Sequence, residues 1–138
     1  MAFQSLPAPA QSEVERVAHL VLTGMLPALA EARLSEFGTA LSEVQRITGG
    51  WFATSQGGAF APGPTAAVVH ALRAAGAEGV GQSSWGPTVY ALAADDADAD
   101  RLAAAAAGPA GAGAFIWRGP FWNTGAVVQR FVPTVLAD

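Results

Sequence analysis

The sequence contains no cysteine and no lysine. Without cysteine, disulfides, thiol catalysis and metal sites held by thiolates are excluded. Without lysine, Schiff-base chemistry and lysine nucleophiles are excluded as well. The seven cationic side chains are all arginines, they stand against eleven acidic residues, and the net charge is −4. No basic stripe is present that would neutralise a nucleic-acid backbone, so we expect no nucleic-acid partner.

Long apolar runs are also missing. No uninterrupted stretch approaches the ~20 residues of a membrane span, and Met1–Gln11 lacks the positively charged start of a signal peptide. We therefore expect a cytoplasmic protein with no membrane partner. Charged residues make up only 13% of the sequence, against about 25% in ordinary globular domains. This favours either apolar surface covered by another domain or by a second subunit of a homo-oligomer, or a general bias towards alanine, and the sequence leaves the two open.

Periodicity and breaker residues predict one α+β domain over residues 12–138, preceded by a proline-rich leader at 1–11. Ser12 is a good N-cap for the first helix, and Pro27 predicts a kink or a short break within it. The other predicted helices run from Ser35 to Gly49-Gly50, from Pro64 to Gly76, and over Asp95–Ala107.

Short apolar runs between glycine-rich stretches predict the strands. The stretches Trp51–Gly63 and Gly108–Gly113 are rich in glycine and predict loops. The predicted strands are Val80, Thr88–Leu92, Ala114–Trp117 and Ala126–Val132.

The segment Gly79–Leu92, which reads GVGQSSWGPTVYAL, sets a short loop between two strand-like runs. Such a loop can surround a phosphate with backbone N–H groups, the arrangement called a nest. The local chemistry is somewhat more typical of a tight hairpin turn, and both interpretations stay open. The candidate ligand-binding residues of the loop are Gly79, Gly81, Gln82, Ser83, Ser84 and Gly86.

Three further residues are candidates for substrate binding. Trp85, inside the same loop, either packs on the core or stacks on an aromatic substrate. Gln56 lies in a polar loop and can hydrogen-bond a substrate carboxylate or a ribose hydroxyl. Arg118 follows the predicted strand Ala114–Trp117, and at a strand end its guanidinium can bind phosphate or carboxylate, although a solvent-facing turn is the commoner place for such an arginine.

No catalytic residue and no metal site is predicted. His19 and His70 lie on predicted helices without the spacing of a triad or of a metal site. The aspartates Asp95, Asp96, Asp98 and Asp100 lack the glycine and the distal glutamate of a calcium loop and suit the start of a helix instead.

Two motifs together resemble one family. GQSSWGPTVY is similar to the glycine-loop signature of the β-ribofuranosylaminobenzene 5'-phosphate synthases, an offshoot of the GHMP kinase superfamily. Gln45-Arg46-Ile47, then Trp51-Phe52 and Gln56-Gly57-Gly58-Ala59-Phe60, looks like that family's helix end and QGG loop. The resemblance implies the C-terminal domain of such a protein, with helices on one face of a small antiparallel, ferredoxin-like sheet. The phosphate-binding loop of the family's first half is absent from this sequence.

The resemblance also implies an activity. That family condenses 4-aminobenzoate with phosphoribosyl pyrophosphate, releases carbon dioxide and pyrophosphate, and serves tetrahydromethanopterin biosynthesis. It implies Mg²⁺ with the pyrophosphate, the glycine loop on phosphate, and Gln56 and Trp85 beside the aromatic ring. It also implies an N-terminal half as a partner, and the sequence leaves open whether the chain is active alone. The alternatives are a non-catalytic small-molecule-binding or partner subunit and a fragment of a GHMP small-molecule kinase, against which Gln82-Ser83-Ser84-Trp85 and Pro87 argue.

Overall fold

The computed structural model describes residues 6–121 together with 124, 125 and 128. Within this part of the chain, one short β-hairpin lies between the fourth and fifth α-helices. The elements in order are α1 (Gln11–His19), a π-helical segment (Leu20–Met25), α2 (Leu26–Ala30), α3 (Leu34–Gln56), α4 (Pro64–Ala74), β1 (Glu78–Gln82), β2 (Val89–Leu92) and α5 (Asp96–Ala110).

The sheet of the described residues is one antiparallel pair. β1 and β2 pair with Gly81 opposite Tyr90 and Gln82 opposite Val89, and the register is irregular between Glu78 and Gly81. A hydrogen bond from the Ser83 N–H to the Thr88 carbonyl, 2.9 Å long, joins the two ends of the turn between the strands. The α+β class is therefore confirmed, and the glycine-rich loop is a hairpin turn.

The main core lies between β1 and the helix pair α4 and α5. Val80 of β1 is 0% exposed, and the cluster around it is purely aliphatic. Its buried members are Val68, Val69, Leu72, Val80, Leu102 and Ala106. Burial of branched aliphatic side chains in one contiguous cluster is the chief force that holds the hairpin on the helices.

Helix α3 lies along the hairpin and is longer than the sequence predicts. The predicted end at Gly49-Gly50 is wrong, because the helix runs on to Gln56 and ends at Gly57, whose φ of 87° is left-handed. Gly49 serves a different purpose: a Cβ there would lie 3.2 Å from the carbonyl carbon of Ala59. The glycine makes room for the returning chain, so half of the predicted loop Trp51–Gly63 is helical.

The N-terminal helices also differ from expectation. α1 begins at Gln11, and its N-cap is Ala10 with no side-chain hydrogen bond, so the Ser12 cap is wrong. The irregularity predicted at Pro27 occurs one turn earlier. In the π-helical segment the Leu26 N–H donates to the Val21 carbonyl, five residues back. The wider turn shifts the hydrogen-bond register just before Pro27, which has no N–H to donate.

The chain after α5 is irregular. α5 runs through Gly108 and Pro109 to Ala110, so the predicted break starts only at Gly111. The predicted strand Ala114–Trp117 is wrong, since the segment joins no strand of the sheet among the described residues. A strand requires a neighbour to take its backbone hydrogen bonds. Apart from Val128, which is exposed, most of the predicted strand Ala126–Val132 lies outside the described residues.

Large apolar side chains remain uncovered on the N-terminal helices. Leu22 is 64% exposed, Leu26 51% and Leu29 62%, and we call these three residues the apolar patch. Phe115, Trp117 and Phe121 after α5 are exposed in the same way. Within the described residues, no helix combines the length and hydropathy required to cross a bilayer.

Helix α5 begins with two aspartates whose carboxylates accept backbone N–H groups. The Asp98 N–H donates to Asp95 Oδ1 at 2.8 Å, and the Ala94 N–H donates to Asp98 Oδ2 at 3.1 Å. The hydrogen bond from the Ala94 N–H, followed by that from Arg101, holds the pKa of the Asp98 carboxyl below its usual value. The arrangement resembles a capping box, except that the second N–H belongs to Ala94, the residue before the N-cap Asp95.

Replacing the cap should destabilise the domain measurably. Asp95→Ala removes the acceptor for the Asp98 N–H and should lower the free energy of unfolding by about 1 kcal/mol, measured by urea denaturation. Asp95→Asn keeps an acceptor at the same place and should cost much less. Equal losses in the two variants would contradict the capping role.

Candidate functional site

A cavity of about 130 Å³ lies between α3, the chain that follows it and the β-hairpin. Five of its eight lining residues come from α3 and share one face of the helix, which recurs every three to four residues. The complete lining is Gln45, Thr48, Gly49, Phe52, Gln56, Ala59, Gln82 and Ser84.

Gln82 hydrogen-bonds to the segments that surround this cavity. It is buried at the end of β1, and its Oε1 accepts the Ala61 N–H at 2.7 Å. Its Nε2 donates to the Ser84 carbonyl at 2.8 Å and to Gln56 Oε1 at 3.3 Å. One side chain thus links the hairpin turn, the end of α3 and the segment that follows α3.

Gln45, another lining residue of α3, also hydrogen-bonds to Gln82. Its Oε1 accepts the backbone N–H of Gln82 at 3.2 Å. Its side chain also hydrogen-bonds the hydroxyl of Tyr90 on β2. Burial raises the pKa of the Tyr90 phenol above its ordinary value, and the hydrogen bond with Gln45 lowers it in part. The tyrosine is therefore neutral at physiological pH.

The hydrogen-bonding capacity left for a ligand can be counted. Both N–H bonds of the Gln82 amide are already used within the domain. Gln56 donates one N–H to the Gly58 carbonyl at 2.9 Å, which leaves its second N–H for a ligand. The Thr48 hydroxyl donates to the Val44 carbonyl at 2.8 Å, so its oxygen retains acceptor capacity.

An aromatic pair connects this cavity to the hairpin turn. The Phe52 and Trp85 rings meet edge to face, with centroids 5.2 Å apart and planes at 73°. This geometry suits the opposite charges of ring edge and ring face. Trp85 therefore packs on a lining residue, and its indole lies close enough to the cavity to respond to a ligand there.

Comparison with known proteins agrees with this architecture. Residues 25–114, well over half of the chain, match the family of GHMP kinases C terminal domains. The chain belongs to this family.

Two curated relatives are similar over much of the same region. A beta-ribofuranosylphenol 5'-phosphate synthase of Archaeoglobus fulgidus is 37% identical over 89 residues, 64% of this chain and 25% of that protein. A synthase of the same name from Methanothermobacter thermautotrophicus is 34% identical over 80 residues, 58% of this chain and 23% of that protein. The chain thus spans about a quarter of their length, in their C-terminal part. No solved structure matches.

The GHMP domain brings some of the predicted site residues together. Gln56, Gln82 and Ser84 line the cavity, and Trp85 adjoins it through Phe52. Ser83 is exposed on the turn. Arg118 does not line the cavity: it is exposed and pairs with Asp100 of α5, and the strand end expected for it is not formed.

The glycines of the predicted loop have packing roles in the structure. Gly79 and Gly81 belong to β1, and a Cβ on Gly81 would lie 2.6 Å from Tyr90 Cζ and 2.7 Å from Gln45 Cδ. Gly86 donates its N–H within the turn, to the Ser83 carbonyl at 3.0 Å. The N–H groups of Ser83 and Gly86 are therefore already engaged inside the hairpin.

Sequence reasoning did not assign Thr48, Gly49 or Phe52 of the lining a role in binding. The predicted helix end at Gly49-Gly50 placed Phe52 in a loop, so the prediction did not put it on one helical face with Thr48 and Gly49. A signal was present, because Gln45, Thr48, Phe52 and Gln56 continue the three- and four-residue spacing of a helix. His19 and His70 are exposed on helices, and the described residues contain no group of three or more potential metal ligands.

The titration of Tyr90 tests its burial and its hydrogen bond with Gln45. It is the one tyrosine in the sequence, so the phenolate absorbance reports this residue alone. We expect it to titrate above the ordinary value of about 10. Because folding raises this pKa, stability is complete below pH ~10 and declines as the pH rises through the folded value. In Tyr90→Phe, the part of this decline that comes from the phenol should be absent. A titration midpoint of Tyr90 at or below about 10 in the folded protein would refute the effect of burial.

Glycine at position 81 should be required for stability whatever the ligand. Gly81→Ala places a methyl against the Tyr90 ring and should lower the free energy of unfolding by about 1–3 kcal/mol. Gly50→Ala is a matched control, because a Cβ on Gly50 has nothing within 4 Å and alanine favours the helix. Denaturation curves with the same midpoint for Gly81→Ala and wild type would contradict the close contact.

Proposed function

We propose that this chain is the C-terminal part of a synthase that joins an aromatic acid to phosphoribosyl pyrophosphate. One observation carries the proposal: the two motifs that resemble the synthase family meet at one cavity. Gln45 and Gln56 from the first motif face Gln82 and Ser84 from the second. The names of the two relatives, which specify a ribofuranosylphenol phosphate, support the same reaction class.

In the proposed reaction the ring carbon that bears the carboxylate attacks the anomeric carbon of the sugar. The new C–C bond takes its electron pair from the ring as pyrophosphate leaves with the C–O bonding pair. The carboxylate then departs as carbon dioxide, and its bonding electrons restore aromaticity. With 4-aminobenzoate or the 4-hydroxy analogue as acceptor, the product is a C-riboside phosphate of the tetrahydromethanopterin type.

The substrate-binding roles are divided between the cavity and the hairpin turn. Gln56 and Trp85 shape the pocket for the aromatic ring, next to Phe52. The turn Ser83–Gly86, in which the two serines are exposed, is the proposed contact for the phosphate of the sugar. It would use the serine hydroxyls and the N–H groups that the hairpin does not use. Arg118 would contribute only if its pairing with Asp100 were exchanged for a phosphate.

Magnesium is expected to accompany the pyrophosphate and to stabilise its developing charge. The cavity lining contains no carboxylate, and no group of three or more potential metal ligands occurs in the described part of the chain. The described residues therefore do not fit a magnesium site, and we assign them no step that involves the ion.

We further propose that catalysis requires the preceding domain. The match covers only about a quarter of each relative, and the cavity lining holds no acid or base for proton transfer. The apolar patch of Leu22, Leu26 and Leu29 is the surface proposed to contact that domain, because its exposure would be relieved by an apolar partner surface.

Reconstitution tests both parts of this proposal. The chain should release pyrophosphate from phosphoribosyl pyrophosphate and 4-hydroxybenzoate or 4-aminobenzoate only when the upstream part of the Archaeoglobus fulgidus relative is added. Leu22→Ser with Leu26→Ser should weaken that complementation at least ten-fold. Phe115→Ser, which changes a still more exposed apolar residue outside the patch, should not. Aromatic-acid binding without turnover in the reconstituted mixture would favour the non-catalytic binding module, and ATP-dependent phosphorylation would favour the kinase.

A further inference from the structure

The lining of the cavity carries no charged side chain. Its polar groups are three amides and two hydroxyls, and the rest is glycine, alanine and Phe52. A carboxylate or phosphate enclosed there would lose its water without gaining a cationic partner, which is strongly unfavourable. The lining is therefore better suited to an uncharged part of a substrate than to a carboxylate or phosphate.

The volume of the cavity limits the ligand to a single ring. An apolar cavity of about 150 Å³ is known to hold one benzene molecule, and this cavity measures about 130 Å³. A phosphoribosyl group is larger and highly charged, so it does not fit. The phosphate and the carboxylate both remain outside the lining.

Two oxygens of the lining retain acceptor capacity that a donor on the ring can use. The Thr48 hydroxyl proton is directed to the Val44 carbonyl, so towards a ligand its oxygen acts as an acceptor. Gln56 Oε1 receives only the long 3.3 Å bond from Gln82 and retains a second lone pair. A hydroxyl or amino group on the ring can donate to either oxygen, whereas a methyl or fluoro group leaves both unpaired.

We infer that Thr48 and Gln56 read the substituent opposite the carboxylate of the aromatic substrate, and require it to be an uncharged hydrogen-bond donor. Gln82 acts as a positioning residue, since its committed amide holds Gln56 in place. The inference rests on the proposed function for the identity of the ligand. It also agrees with the proposed chemistry, because the ring carbon that forms the new bond then stays outside the cavity with the carboxylate.

A binding series with the full chain tests the inference without turnover. Trp85, in contact with Phe52, is the expected reporter among the four tryptophans, and the signal should be lost in Trp85→Phe. We expect 4-hydroxybenzoate and 4-aminobenzoate to bind about five-fold more tightly than 4-methylbenzoate, the effect of one hydrogen bond. In Thr48→Val this preference should shrink to less than about two-fold. Thr39→Val makes the same exchange on α3 outside the cavity lining and should keep the preference.

Several outcomes would overturn the inference. Equal affinity for the three benzoates in the wild type, displacement of a bound benzoate by inorganic phosphate, or no benzoate binding at all would each do so. Should Thr48→Val fail to fold by circular dichroism, Gln56→Met provides the same test. A preference that survives in both variants refutes the roles of Thr48 and Gln56 even if the reconstituted enzyme is active. Conversely, the expected binding series with no pyrophosphate release would refute the synthase and leave the ligand preference standing.

Discussion

Helix α3 can lie against strand β1 only because glycine stands on both sides of the contact. A Cβ on Gly38 of α3 would lie 2.8 Å from the Cβ of Glu78, and a Cβ on Gly81 of β1 would lie 2.7 Å from Gln45 Cδ. These separations are well below van der Waals contact, so neither position accepts a side chain without rearrangement. The hydrogen bond between Gln45 and the backbone of Gln82 then holds the two elements together. Every wall of the cavity depends on this approach, because α3 and the β1 hairpin supply most of its lining.

In the described part of the domain, the charged side chains lie outside the cavity lining. The arginines Arg33, Arg46, Arg101 and Arg118 each pair with a carboxylate, while the cavity lining is neutral. Arg73 lies over the Phe60 ring, with 5.0 Å between the guanidinium carbon and the ring centroid. A domain of this kind is suited to hold an uncharged ring. The proposed enzyme would then meet the phosphoryl charges of its second substrate mainly with groups from its other domain, which agrees with the requirement for a partner.

Much of the secondary structure was predictable because local signals were unambiguous. The helix that starts at Pro64 and the strands around the hairpin turn follow from proline at a helix start and from short apolar runs. Glycine was the main source of error. At Gly57 it ends a helix with a left-handed torsion, whereas at Gly49 it stays helical and makes room for Ala59. The two roles look identical in a sequence, since the neighbour that needs the space comes from a distant part of the chain.

The sequence alone determined the family, the α+β class and the exclusion of thiol and lysine chemistry, because motifs and absent residue types are local properties. Two sequence motifs also identified Gln56, Gln82 and Ser84 as candidate substrate-binding residues. Only the tertiary structure decided that these residues line one cavity, that Thr48 and Phe52 share it, and that Arg118 pairs with α5 instead. These outcomes depend on which elements pack together. That packing is set by close contacts at glycines and by amide hydrogen bonds between residues up to 37 positions apart, such as Gln45 and Gln82.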